Sequence, residues 1–274
     1  MLKIDVISVQ PQMLKGFLEE SILARAVKKG ACEINIIDLK DYGIGRWKKT
    51  DDKPYGGGPG MLMRCEPWFA AVEDELKIEN GELRIENGKI VGLPDGVRII
   101  MTSPKGRRWT QRDAEHFAKL AIASDTRSLS LAPCPQKRLI DGATGLQNVG
   151  ATGQHLIFLC GHYEGFDARI ETLATDFYSL GDFVMTGGEL AAAAMIDSIV
   201  RLLPGVLGGG PAATASESFG AEGLLECPQY THPEDFRGMK VPEVLLSGDH
   251  AKIEQWRMAQ AKELTARLRS DLIK

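Results

Sequence analysis

The sequence predicts an α/β protein built on a largely parallel sheet, and three observations carry that expectation. Short runs rich in β-branched residues alternate with segments whose apolar residues recur at helical spacing, as in strands joined by crossover helices. The 274 residues are 43% hydrophobic and 26% charged, a globular balance in a chain long enough to form a core without disulfide staples. After Pro204 the composition shifts to small and polar residues, which marks a domain boundary.

Taken in order, residues 3–9 (KIDVISV) are short and β-branched, as suits a buried strand. Leu14, Phe17, Leu18, Ile22 and Ala26 are spaced for a helix over 14–29 that stops at Gly30. A strand is expected at 33–39 and a helix at 67–76. The near-duplicate IENGELRIENGKI then opens an insertion over about 78–96, and its Asn-Gly dipeptides favour tight turns and hence a β-hairpin. A strand over 97–102 and a helix over 110–123 follow. Residues 124–154, rich in Pro, Gly, Ser and Thr and without periodicity, read as a second insertion, exposed or mobile. His155 to Cys160 has the apolar run of a buried strand, and 188–203 reads as an alanine-rich helix. VLGGGPAATASESFGAEG has the composition of a flexible linker. Beyond it, Ile253, Trp256, Leu264, Leu268 and Leu272 recur at helical spacing over 251–273. The expected division is an α/β domain over 1–207, a linker over 208–222 and a small helical domain over 223–274.

With 33 basic and 37 acidic side chains the net charge is -4, so any contact with a polyanion must come from local patches. Such patches exist at Arg46, Lys48 and Lys49, at Lys105, Arg107, Arg108 and Arg112, and along the last helix. Five scattered cysteines with no C-x-x-C pair argue against a disulfide framework or a zinc knuckle. No signal peptide and no apolar run near the ~20 residues of a membrane span is visible, so a cytoplasmic protein is expected.

Three glycine-bearing motifs stand out. Asp51 to Gly60 (DDKPYGGGPG) runs paired carboxylates into a loop without side chains, which serves equally as a binding loop or a bare turn. Leu159 to Arg169 (LCGHYEGFDAR) follows an apolar strand, placing it where open α/β sheets bind ligands. Leu180 to Ala191 (LGDFVMTGGELA) reads as a short strand, a Thr-Gly-Gly turn and a helix start able to cradle a polar ligand group. Arg201, inside an apolar helix, either snorkels to water or faces a reacting anion. No P-loop or G-x-G-x-x-G is present.

Together these words, with SPKG, IDSIVRLLPGVLG, GLLECPQYT and FRGMKVPEVLLSGDHAKIEQWR, resemble TrmD, the bacterial tRNA (guanine-N1)-methyltransferase family of the SPOUT class. The resemblance covers residues 1–77, 97–123 and 155–265. It implies an α/β domain whose C-terminal part is threaded into a deep trefoil knot, an exception to the usual unknotted topology, followed by a small helical tRNA-binding domain. It also implies a homodimer with its active site at the subunit interface, S-adenosylmethionine as methyl donor, tRNA as substrate, and Mg2+ as a further candidate cofactor, although no closed metal-ligand cluster is readable. By motif position the cofactor site would be lined by Ser103, Pro104, Gly161, Tyr163, Glu164, Leu180, Gly181, Phe183, Met185, Gly187 and Gly188. Asp51, Asp52 and Ser218 would meet the target base, and Arg201 would steady the charge developing on guanine O6. The general base is a departure from the family. Where the pattern has Asp-Ser-Phe this chain has Glu217-Ser218-Phe219, of similar reference acidity (~4.3 against ~3.9) but longer reach. The expectation is N1 methylation of the guanosine at position 37, beside the anticodon, with Glu217 as base. The alternative is an RNA-binding protein of the same fold whose catalysis Glu217 has weakened.

Overall fold

The computed structural model describes residues 1–78, 83–123, 154–208, 214, 217–220 and 222–273, and the chain divides into two compact units, Met1–Leu207 and Gly208–Lys274. Nearly all of the insertion expected over 124–154, part of that over 78–96 and much of the linker over 208–222 lie outside the described residues.

The first unit is built on a five-stranded parallel sheet of β1 (Leu2–Ser8), β2 (Cys32–Asp38), β3 (Val97–Arg108), β4 (His155–Cys160) and β5 (Asp176–Ser179), in the order β2-β1-β4-β3-β5. Its central strands are buried on both faces, which is why they read as near-continuous apolar runs. Ile4 stands opposite Ile34 on one side and Leu156 on the other, and Ile100 opposite Phe158. Helices cover both faces. On one side α1 (Gln12–Leu18), α2 (Ser21–Lys28), α4 (Gln111–Ala123) and α5 (Glu189–Val200) bury Leu14, Leu23, Phe117 and Ile196 against Ile4, Val6 and Phe158. On the other, α3 (Cys65–Glu75) buries Trp68 and Val72 against Ile99, Ile157 and Leu159.

In the first unit the structure differs from the sequence reading in three places. The helix expected over 14–29 is two helices, α1 and α2, parted at Ser21, whose φ is 54°. Leu14 and Leu18 are buried in the first and Leu23 and Ala26 in the second, so the apolar face steps by one residue and a continuous helix could not present it. Strand β3 runs on to Arg108 through a register shift between Thr102 and Arg107. The strand near 180 is instead Asp176–Ser179, and the residues after it form the turn that reaches α5. The hairpin in the first insertion is present: Arg84–Glu86 pairs antiparallel with Lys89–Val91 through Asn87 and Gly88, at φ 51° and 71°, the type I′ geometry that Asn-Gly favours.

One charged group sits inside this core. Asp5 of β1 is fully buried, accepts from Asn35 Nδ2 at 2.9 Å, lies 2.7 Å from Lys3 Nζ and meets His155 Nε2. Burial pushes its acidity towards the neutral form, but these donors outweigh it and hold Asp5 well below the ordinary carboxylate range.

In the second unit a short ribbon of Asp235–Phe236 and Met239–Lys240 precedes α6 (Glu243–Leu246) and α7 (His250–Leu268). Asp249 caps α7 by accepting from the Lys252 amide at 3.2 Å. The helix ends short of the expected 273, with a single 3-10 turn at Ser270–Leu272. Fully buried Thr265 donates to Ala261 O at 2.6 Å and accepts from the Leu225 amide at 2.9 Å, tying the extended segment before the ribbon to α7. No described helix is long and apolar enough to cross a membrane.

Candidate active site

At the C-terminal ends of β3, β4 and β5 the first unit opens into a cavity of about 300 Å3. Three stretches far apart in sequence supply its walls: Thr102 to Lys105 at the register shift of β3, Gly161 to Phe166 after β4, and Tyr178 to Gly188 from the end of β5 to the start of α5. Every residue assigned to the cofactor lines it, namely Ser103, Pro104, Gly161, Tyr163, Glu164, Leu180, Gly181, Phe183, Met185, Gly187 and Gly188. Leu180, Phe183 and Met185 give an apolar wall, and the Ser103 hydroxyl and Glu164 carboxylate add polar groups.

Close backbone approach explains the glycines of the floor. The Gly188 amide donates to Gly161 O at 2.8 Å, and His162 bridges Gly187. A Cβ on Gly188 would overlap the Thr102 hydroxyl, and one on Gly187 would overlap Glu189 and the His162 ring. Any side chain here would part the turn after β4 from the start of α5. A cavity of this size, with an apolar wall and a backbone-lined floor that no Cβ could share, fits a nucleoside-bearing ligand such as S-adenosylmethionine.

The DDKPYGGGPG loop packs against the turn after β4 that walls this cavity, without lining it. Asp51 and Asp52 pair antiparallel with Met63 and Leu62, and Met63 is stitched to the turn after β4 by bonds to Gly165 O at 2.9 Å and from the Asp167 amide at 3.0 Å. Gly60 sits directly against Glu164, leaving no room for a Cβ. Asp52 accepts from the Lys53 amide at 2.9 Å and from Arg64 Nη1 at 2.8 Å, and both hold its carboxyl below the ordinary value. Burial raises the Tyr163 phenol, and the nearby Asp51 charge raises it further.

Of the remaining site residues in the first unit, Asp51, Asp52 and Arg201 do not line this cavity. Arg201 closes the C-terminal end of α5, whose N-terminal end is Gly188 in the cavity floor. At ~1.5 Å per residue the two lie about 20 Å apart along the axis. Glu217 and Ser218 belong to the second unit. There Glu217 lines a separate cavity of about 400 Å3 with Glu222, Glu226, Glu254 and Arg257, and the Ser218 hydroxyl accepts from the Glu226 amide at 2.9 Å. Among the described residues no three His, Cys, Asp or Glu side chains converge where they could hold a metal ion, so the Mg2+ expectation finds no ligand set there.

Many of the basic residues noted in the sequence are paired locally. Lys48 meets Asp41 at 2.7 Å, Lys105 meets Glu171 at 2.5 Å, Arg108 meets Asp182 at 2.6 Å, and Arg107 contacts Asp113. In α7, Lys252 pairs with Asp249 and Arg257 with Glu254. These patches therefore carry less net positive charge than their sequence suggests. Sequence reasoning missed Glu189, wholly buried at the first position of α5. It stood in the TGGEL motif, but nothing in the motif marked it as buried.

A parallel sheet with a glycine-floored cavity beyond its strand ends defines an α/β protein of the ligand-binding class. Sequence comparison narrows that class. The family model described as tRNA (Guanine-1)-methyltransferase TrmD matches residues 2–123 and 121–274, and the chain belongs to this family. It is 44% identical over 273 residues to the tRNA (guanine-N(1)-)-methyltransferase of Shouchella clausii (strain KSM-K16), covering 100% of this chain and 92% of that protein. It is 42% identical to the proteins of the same name from Geobacillus kaustophilus (strain HTA426), covering 99% and 91%, and Bacillus subtilis (strain 168), covering 100% and 93%.

Proposed function

We propose that this chain methylates N1 of the guanosine at position 37 of tRNA, in the cytoplasm, using S-adenosylmethionine. The observation that carries the reading is the convergence of three separated motifs on one glycine-floored cavity. Leu180, Phe183 and Met185 would hold the adenine face, and the backbone around Gly161, Gly187 and Gly188 its polar edge. The bound cofactor supplies an electrophilic methyl group. Everything else falls to side chains of the protein. Guanine N1 carries a proton at neutral pH and is a poor nucleophile, so a base must take that proton as the methyl arrives, and we assign this to Glu217. Arg201 would stabilise the negative charge that spreads to O6. Asp51, Asp52 and Ser218 would contact the target base, and the second unit the tRNA.

The span of α5 bears on how these parts meet. An arginine side chain cannot bridge the ~20 Å from the end of the helix to the cavity at its start. This supports a homodimer in which Arg201, with Glu217, serves the cavity of the other subunit. The parallel strand order and the tight seam between Gly161 and Gly188 support the trefoil-knotted SPOUT topology for the first unit.

The test is transfer of labelled methyl from S-adenosylmethionine to unmodified tRNA with G at positions 36 and 37, comparing wild type with Glu217→Gln. Activity lost in the variant with cofactor binding retained supports Glu217 as base. An equally active variant moves the base elsewhere, and an inactive wild type that binds both substrates supports a catalytically weakened RNA-binding protein.

A further inference from the structure

Directly behind the cavity floor lies a polar pair that none of these roles uses. Glu189 is wholly buried; its Oε1 accepts from the Ser8 hydroxyl at 2.6 Å and stands 3.8 Å from His162 Nδ1. Its Oε2 makes no hydrogen bond, and neither does the buried His162 Nδ1. Both atoms crowd the space that a Gly187 side chain would fill, and Gly187 and His162 line the cavity. The buried carboxylate thus lies directly behind Gly187, a cavity-lining residue with no side chain of its own.

An acid in the first turn stabilises a helix, but an exposed one would do so without the desolvation cost that burial imposes. One neutral hydroxyl is weak compensation for a buried carboxylate, and a positive charge in the cavity would complete it. The neighbouring Cys160 thiol adds no competing negative charge: burial, and then the Glu189 charge, hold it well above its ordinary value and so in the neutral form.

We infer that Glu189 is a charge-selecting residue, presented through Gly187, that makes the cavity prefer a cationic ligand to its neutral counterpart. The inference rests on S-adenosylmethionine being the cavity's ligand. In methyl transfer the sulfur–carbon bond breaks, its electron pair stays on sulfur, and the new bond to N1 forms as the N1 proton leaves to the base. The ligand's sulfur therefore goes from sulfonium to neutral thioether. Glu189 favours the first and not the second, which tightens donor binding and loosens the spent product.

Calorimetric titration of three ligands tests this: S-adenosylmethionine, S-adenosylhomocysteine, and sinefungin, which carries an amine where the sulfonium stands. Wild type should bind both cationic ligands more tightly than the thioether. Glu189→Gln should lower that preference about tenfold, the order expected of one buried charge near another, while thioether affinity stays within about twofold. Ser8→Ala keeps the charge and should keep the preference. An unchanged preference in Glu189→Gln, or an equal loss for all three ligands, overturns the inference and leaves the cofactor site standing. If Glu189→Gln does not fold, the wild-type ranking decides, and a thioether bound as tightly as the cations overturns it. Wild type binding none of the three removes the reading of the cavity as well.

Discussion

Gly188→Ala is the sharpest test of how the cavity floor is built. The new Cβ would overlap the Thr102 hydroxyl and stand 3.1 Å from Cys160 Cα and 3.2 Å from the Gly161 nitrogen. The latter two are backbone of β4 and the turn after it, and cannot swing aside as a side chain would. The same movement stretches the 2.8 Å bond from the Gly188 amide to Gly161 O. Overpacking of this kind costs about 1–3 kcal/mol and the bond about 1 kcal/mol more, giving a loss of about 2–4 kcal/mol. For a unit of this size that lowers Tm by about 5–15 °C, measurable by calorimetry, and titration should show S-adenosylmethionine affinity falling in parallel. Thr102 supplies an internal control. Its hydroxyl donates to Leu159 O at 3.1 Å, so Thr102→Ala alone costs about 1 kcal/mol. In the Gly188→Ala background it makes room for the added methyl, and the double variant should be more stable than the sum of the two losses by about 1 kcal/mol. Losses that add to within ~0.5 kcal/mol, or an unchanged Tm for Gly188→Ala, would refute the steric argument.

Three further outcomes follow from the same structure. Asp5 is depressed below its ordinary value of 3.8, so it contributes stability that is present above that pH and lost as pH falls below it; urea midpoints between pH 5 and pH 2 should fall less steeply for Asp5→Asn than for wild type, and parallel slopes would show that Asp5 is not the group responsible. At neutral pH the same variant should be less stable by about 1.5–3 kcal/mol, because Asn35 and His155 lose a charged buried acceptor while Lys3 keeps Glu75 at 3.3 Å. Trp68 is buried with its Nε1 donor unpartnered and its ring edge-on to Phe166 at 5.1 Å, so Trp68→Phe should cost under ~1 kcal/mol and Trp68→Ala about 3–5 kcal/mol in denaturant unfolding. Mixed subunits test the shared site: an equal random mixture of Arg201→Ala and Gly188→Trp chains should regain about a quarter of wild-type methyl transfer if Arg201 serves the opposite cavity, and none if it serves its own.

The sheet was legible because buried parallel strands are written as continuous β-branched runs, which placed β1, β2 and β4 within a residue of their observed limits. The extension of β3 through Ser103 to Arg108 was not, since a strand carried past a bulge by backbone pairing leaves no apolar trace. The break at Ser21 was hidden because the apolar residues on either side mimic one helix until burial shows the face stepping. In the site, the glycines and their neighbours announced themselves as words. Glu189 did not, because its meaning depends on Ser8, which is 181 residues away in sequence, and on the closed floor above it.

The strand order also governs how the chain can mature. β4 lies between β1 and β3, yet its His155 must find Lys3 and Val97, both synthesised long before it. At ~5–20 residues per second, some seconds separate the emergence of β3 from that of β4, and during them β1 and β3 each hold open an apolar edge meant for a strand not yet made. Parallel pairing across so long a loop is also slow once the strand arrives. The nascent protein is therefore most exposed to aggregation before residues 155–160 insert, and a chain truncated before them would be left with both edges bare.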